Sequence, residues 1–226
     1  MKVSQQLALI SLVTGGLWLM AAQPSQAATA TTTPIAPWRY AKTTANYRDN
    51  STSAYYQDVW RQATKNWQKK GFKWNAVKGS SKTVLTSYAD SSAQGVVYIG
   101  MKQTKYTASG RIISNKVMVN RASFQKFKYN KAERVKVAEH ELGHALGLAH
   151  NNPGSVSVMN PANRVNSIKT VDVKGLKLRY KTPYKAVTKD TVYVTNSALK
   201  VSPDLPIQGV FGHDDCDDTI LLTVSS

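Results

Sequence analysis

Residues 140–150 read HELGHALGLAH, and this spacing narrows the choice of fold more than any other feature of the chain. On a helix, His140 and His144 stand one turn apart on the same face, so their imidazoles can converge on one ion. Gly147 permits a backbone turn that a side chain would oppose, which ends the helix and lets His150 swing in from the following loop. Three nitrogen ligands of this kind predict a catalytic Zn2+, one per chain, with an open corner for water rather than a closed structural site. Glu141, next to the first ligand, is the predicted general base for that water. Coincidence explains the pattern poorly. With 4 His, 3 Glu and 13 Gly among 226 residues, the five positions would match by accident about once in a million such chains.

The extended motif resembles the signature of the metzincin metallopeptidases, HExxHxxGxxH followed by a Met-turn. Met159, in Ser157-Val158-Met159-Asn160-Pro161 nine residues past His150, resembles that turn. By itself it would read as an ordinary core methionine. The short interval from HELGHALGLAH to Met-x-Pro resembles the matrixin branch, particularly small secreted bacterial proteases, over roughly residues 38–180. The resemblance implies an α+β catalytic domain: a twisted mixed sheet, a long helix, a zinc helix and a closing C-terminal helix. It implies zinc on His140, His144 and His150, with Gly147 and Met159 supporting the site. A peptide substrate would lie extended along an edge strand, and residues 161–166 would wall the pocket just past the cut. Two details depart from the pattern. Asn151 stands where matrixins usually carry a small hydroxyl residue, and the connection to Met159 is about one residue longer than usual. Two family features are not expected here. No cysteine precedes the zinc motif to silence it, and His213 alone is left over for a second, structural zinc. Asp49, Asp58 and Asp90 offer oxygens for Ca2+, but nothing clusters them, so calcium is unsupported.

Lys2, the apolar stretch from Leu7 to Met20, and the small residues up to Ala30 read as a signal peptide, residues 1–27, cleaved after Ala27 or Ala30. Ser11, Thr14, Gly15 and Gly16 interrupt the run, so a retained membrane anchor is the weaker reading. A secreted protein is therefore expected, without stable membrane insertion once the signal is removed. Cys216 is the only cysteine, so an internal disulfide is excluded and stability must come from core and metal. Net charge is +17, or +16 without Lys2. That favours polyanionic surfaces, with anionic cell-wall polymer the candidate partner beside a plain solvated lysine surface. Two runs, residues 69–74 and 124–129, interleave aromatics with cations, but nucleic acid is not expected to be the partner of an exported chain. A monomer is expected.

Residues 28–37 are rich in Ala, Thr and Pro and are predicted to be a flexible leader; 38–180 form the catalytic domain, and 181–226 a C-terminal extension. A first strand is predicted over 38–48. A helix follows, with Tyr55, Val59, Trp60, Ala63 and Trp67 inward, Asn50 or Ser51 as cap, and Gly71 at its close. Strands are predicted over 72–77, 83–88, 95–101 and 112–120. Asn130 and Glu133 form a capping box for the motif helix. Asp172 caps a last helix with Val173, Leu176 and Tyr180 inward, which Gly175 weakens. Val192 to Val194 suggests a strand, and residues 213–218, with four of the thirteen acids, read as a solvated tail.

The function expected from these readings is a secreted zinc endopeptidase that hydrolyses internal peptide bonds of a protein or peptide substrate. Two others compete: a non-catalytic cell-wall-binding protein on the same fold, and a zinc amide hydrolase acting on cell-wall peptides. Glu141 argues against the first of these, since a binding module needs no general base.

Overall fold

The computed structural model describes residues 31–200. The expected signal segment with both cleavage points, residues 28–30 of the leader, and the acidic run with Cys216 and His213 lie outside them. In chain order the elements are β1 (Thr44–Asp49), α1 (Ala54–Lys69), β2 (Lys73–Ala76), β3 (Thr83–Tyr88), β4 (Tyr98–Thr107), β5 (Ile112–Asn120), α2 (Arg121–Lys126), α3 (Lys131–Ala145), α4 (Thr170–Lys181) and β6 (Val192–Lys200). The six strands form one mixed sheet in the order β2-β1-β3-β5-β4-β6. Pairing is parallel from β2 through β5, while β4 runs antiparallel to both of its neighbours. The α+β architecture is the one expected. Among the described residues no helix is long and apolar enough to cross a membrane.

Helix α1 forms where apolar residues recur every three or four positions, burying Tyr56, Val59, Trp60, Ala63 and Trp67. Tyr55, predicted to face inward, is 38% exposed instead. The helix is capped by Ser53 rather than by Asn50 or Ser51. The cause is local: Asp49 accepts a hydrogen bond from Ser51 N at 2.8 Å, so the chain is still turning off β1 at the predicted cap. Trp67 donates through Nε1 to Glu139 O at 2.8 Å, tying α1 to α3 across the core. Asn130 and Glu133 form the expected capping box, with reciprocal bonds of 2.8 and 3.0 Å. Of the aromatics in the two cation-rich runs, Phe72, Trp74, Phe124 and Tyr129 are buried, and Phe127 is half-buried and packed against the core.

Several predicted boundaries need correction. The first strand is shorter than 38–48, because Trp38 and Tyr40 anchor their segment by side chains: Trp38 Nε1 donates to His144 O at 2.8 Å, and Tyr40 Oη meets Thr83 Oγ1 at 2.7 Å. The strand predicted at 95–101 begins three residues later, after a 3-10 turn at Gly95–Val97, and continues to Thr107. The short α2 was not predicted; Asn120 caps it by accepting from Ala122 N. The leader is not free from Thr33 onward. Thr33 N donates to Val171 O, Ala36 N to Gly147 O, and Ala149 N to Pro34 O, at 2.9 to 3.1 Å. Gly175, read as a weakness in α4, is a necessity of this docking, since a Cβ there would collide with Thr33 O. The strand suggested at Val192 to Val194 is present and runs on to Lys200: as β6 it returns to the sheet and pairs along β4.

Glu139 is 2% exposed, and Asn66 Nδ2 donates to its Oε1 at 2.6 Å. Burial is the largest influence and raises its carboxyl from 4.5 to about 7, against hydrogen bonds from Asn66 and Ile168 that pull it down. A carboxyl whose folded pKa is raised binds its proton more tightly in the fold, so it favours folding at low pH. Its ionisation then costs stability as pH climbs from 4.5 through 7. Glu139→Gln should therefore stabilise the chain at pH 8, by up to roughly 3 kcal/mol, and have little effect near pH 4.5. Thermal melts of both proteins across that range check this; parallel pH profiles would refute it.

Candidate metal centre and active site

Helix α3 carries His140 and His144 on one face, as 3.6-residue periodicity requires, and both are buried. Gly147 follows with φ +94°, in the left-handed region, and a Cβ there would collide with Trp38 O. The reversal turns the chain so that His150 faces the other two rings. The Nε2 atoms of His140 and His144 lie 3.0 Å apart, those of His144 and His150 3.1 Å, and those of His140 and His150 3.3 Å. Tetrahedral ligation with Zn–N bonds of about 2.05 Å would place nitrogens about 3.3 Å apart. The triangle thus fits a zinc ion, and the three histidines form a group among the described residues able to hold a metal.

The other ring nitrogens are held by backbone carbonyls, which can only accept. His140 Nδ1 donates to Val158 O at 2.7 Å and His144 Nδ1 to Leu148 O at 2.9 Å. These bonds fix the tautomer and leave each Nε2 lone pair inside the triangle. Burial, with the neighbouring His150, lowers His140 to about 3 and holds His144 well below its ordinary value. Both rings are neutral around pH 7, the state that ligates metals.

Beneath the helix Met159 is fully buried, and its Sδ fills the space a side chain at position 143 would occupy, so Gly143 and Met159 interlock. The loop carrying Met159 is held by Asp172, which does more than cap α4. Besides Lys169 N at 2.8 Å, its carboxylate accepts from Thr33 Oγ1 at 2.7 Å, Ser157 Oγ at 2.5 Å and Val158 N at 3.0 Å. One buried carboxylate thus joins the leader, the Met159 loop and α4 directly behind the carbonyl that orients His140. Asn151, the departure noted in the sequence, joins the same network: its N donates to Met159 O at 2.8 Å and its Nδ2 to Thr33 Oγ1 at 3.1 Å. Arg164, in the predicted wall, ties that segment to α3 through Glu133 at 2.9 Å.

Glu141 is fully buried, and β4 forms the surface in front of it. A Cβ on Gly100 would overlap the Glu141 carboxylate. Burial raises the Glu141 carboxyl to about 8, while the charge of Lys102 pulls it down. Lys102 is 1% exposed, with Nζ 4.0 Å from the centre of the Trp38 ring. Neither Gly100 nor Lys102 was singled out from sequence. A glycine and a lysine in a strand are unremarkable until the sheet sets them against α3.

Asp49, Asp58 and Asp90 do not gather into a cation site. Asp49 accepts from Ser51 and Asp90 from Ser92, while Asp58 is engaged by Arg61 and Lys131.

A family model described as matrixin matches residues 40–181. No curated protein sequence matches the chain. Among solved structures, that of myroilysin is similar at 17% identity and a TM-score of 0.33, with 67% of this chain and 68% of that chain covered.

Asp172→Ala would leave three buried donors and the half-buried Lys169 N without their acceptor and should lower stability by on the order of 3 kcal/mol. Denaturant unfolding measures this; a loss under about 1 kcal/mol would mean that the donors find other partners.

Proposed function

This chain belongs to the matrixin family of metallopeptidases, and from that premise we propose that it is a secreted zinc endopeptidase in which His140, His144 and His150 hold the metal and Glu141 is the general base. The observation that carries the reading is the triangle of Nε2 atoms, 3.0 to 3.3 Å on a side, with a buried carboxylate one residue from its first corner. When bound, zinc supplies Lewis acidity toward water and toward a carbonyl oxygen.

The chain's own residues supply the rest. Val158 O and Leu148 O hold two imidazoles in the ligating tautomer. Glu141 accepts the proton of the attacking water on its carboxylate and returns it to the amine nitrogen as the peptide bond breaks. Its buried setting makes the ionised carboxylate a stronger base than an exposed glutamate, and the positive charge of Lys102 favours that ionised form. Gly100 leaves the carboxylate room against β4. Export follows from the reading of residues 1–27. The positive surface suits anionic wall polymer as a place of residence rather than as a substrate, and the general base favours turnover over a binding-only role.

Metal analysis of the purified chain should find one zinc, and a chelator should abolish cleavage of an unstructured protein such as β-casein. Glu141→Ala should keep the zinc and lower turnover by at least about a hundredfold; normal activity in that variant would refute the mechanism. Gly100→Ala should also retain zinc while displacing the base, with kcat lower by on the order of a hundredfold. Wild-type kcat in that variant would mean that Glu141 does not need the space.

A further inference from the structure

Strand β4 runs past the catalytic carboxylate at Gly100. An extended peptide whose scissile bond is to meet Glu141 needs backbone partners beside it. The outer row of N–H and C=O groups on β4 is such a template, of the kind on which peptides add as an extra strand. That row is taken. Strand β6 pairs antiparallel along it, from Thr107↔Val192 at the far end, through Thr104↔Thr195, to Gly100↔Leu199 and Tyr98↔Lys200.

The far end of β6 is fastened. Asp190 pairs with Arg111 at 3.1 Å and accepts from Ser109 N at 3.2 Å, and Ala108 N donates to Thr191 O at 2.6 Å. Midway, Gln103 Nε2 donates to Asn196 Oδ1 at 3.1 Å. The near end reaches the residue of β4 that abuts the base, where Leu199 is 1% exposed. Before β6 the chain crosses a largely exposed stretch, residues 185–190, in which no helix or strand forms.

We propose that β6 is an internal occupant of the substrate-pairing edge, so that the full chain is self-occluded and turnover requires β6 to leave β4. This rests on the peptidase reading above. The occupant belongs to the same chain and lies on the template in extended form, so it competes at a high effective concentration that a free peptide must overcome.

Two variants of the full chain test this, both carrying Cys216→Ser so that introduced thiols stand alone. Gln103→Cys with Asn196→Cys joins an exposed pair directly opposite on the two strands, at a separation a disulfide spans. Oxidation then locks β6 in place. Ser197→Pro with Ala198→Pro loosens it, because successive N–H groups point to opposite sides and one of the two must lose a ladder bond.

The oxidised form should cleave β-casein at least tenfold more slowly than the proline variant, and reduction should restore it to the level of its Cys216→Ser parent treated alike. Equal rates in the oxidised form and in its reduced counterpart or the proline variant overturn the proposal. A proline variant that fails to fold leaves the comparison of oxidised with reduced protein to decide. Should no form cleave, the readout is binding of a fluorescent extended peptide to the zinc-loaded proteins, each also carrying Glu141→Ala. Binding to the proline variant or the reduced form but not to the oxidised form upholds the occlusion while the peptidase reading fails. Equal binding by the oxidised form, or no binding at all, refutes the occlusion itself.

Discussion

Three imidazole nitrogens held 3.0 to 3.3 Å apart, two of them on fully enclosed rings, are the constraint around which this protein is organised. Lone pairs gathered this closely repel one another and are stripped of water, so the arrangement is favourable only around a cation. Metal affinity and folding are therefore coupled, which suits a chain whose only cysteine rules out an internal disulfide. Holding this geometry falls to the two carbonyl acceptors, Val158 O and Leu148 O, and to whatever fixes those carbonyls.

For Val158 that support is Asp172. A carboxylate this deeply buried needs its acceptor capacity filled, and four donors from three separate segments fill it. The chain of contacts from Thr33 through Asp172 and Val158 to His140 carries the positions of the leader and of α4 into the metal site. It also accounts for two residues that would otherwise look incidental. Asn151 bridges the Met159 loop to Thr33, and Gly175 lets the leader approach α4.

On the opposite side of the site the sheet has a different task. Strand β4 is bonded on both edges, to β5 toward the core and to β6 outward, and at Gly100 it approaches the Glu141 carboxylate more closely than any side chain would permit. Lys102, two residues on, brings a buried positive charge to the same carboxylate. The histidine triangle is thus set by helix and loop, and the surface in front of the Glu141 carboxylate by one strand and what lies beside it.

What the sequence determined by itself was whatever depends on residues close together along the chain. The spacing of His140, His144, Gly147 and His150, the capping box of Asn130 and Glu133, and the apolar period of α1 are local patterns with local causes, and strands β3 and β5 were equally legible as short runs bounded by Gly/Ser-rich turns. Only the tertiary structure decided which distant segments meet. Thr33 and Asp172 are 139 positions apart. Nothing in an Ala/Thr/Pro-rich leader announces docking, because a single hydroxyl placed against a buried carboxylate leaves no periodic trace. Gly100 and Lys102 acquired meaning only when the sheet laid β4 against α3. The same is true of β6. Alternation marks a segment as able to form a strand, but which exposed edge receives it is settled by the closure of the whole sheet, where unpaired backbone groups remain to be satisfied.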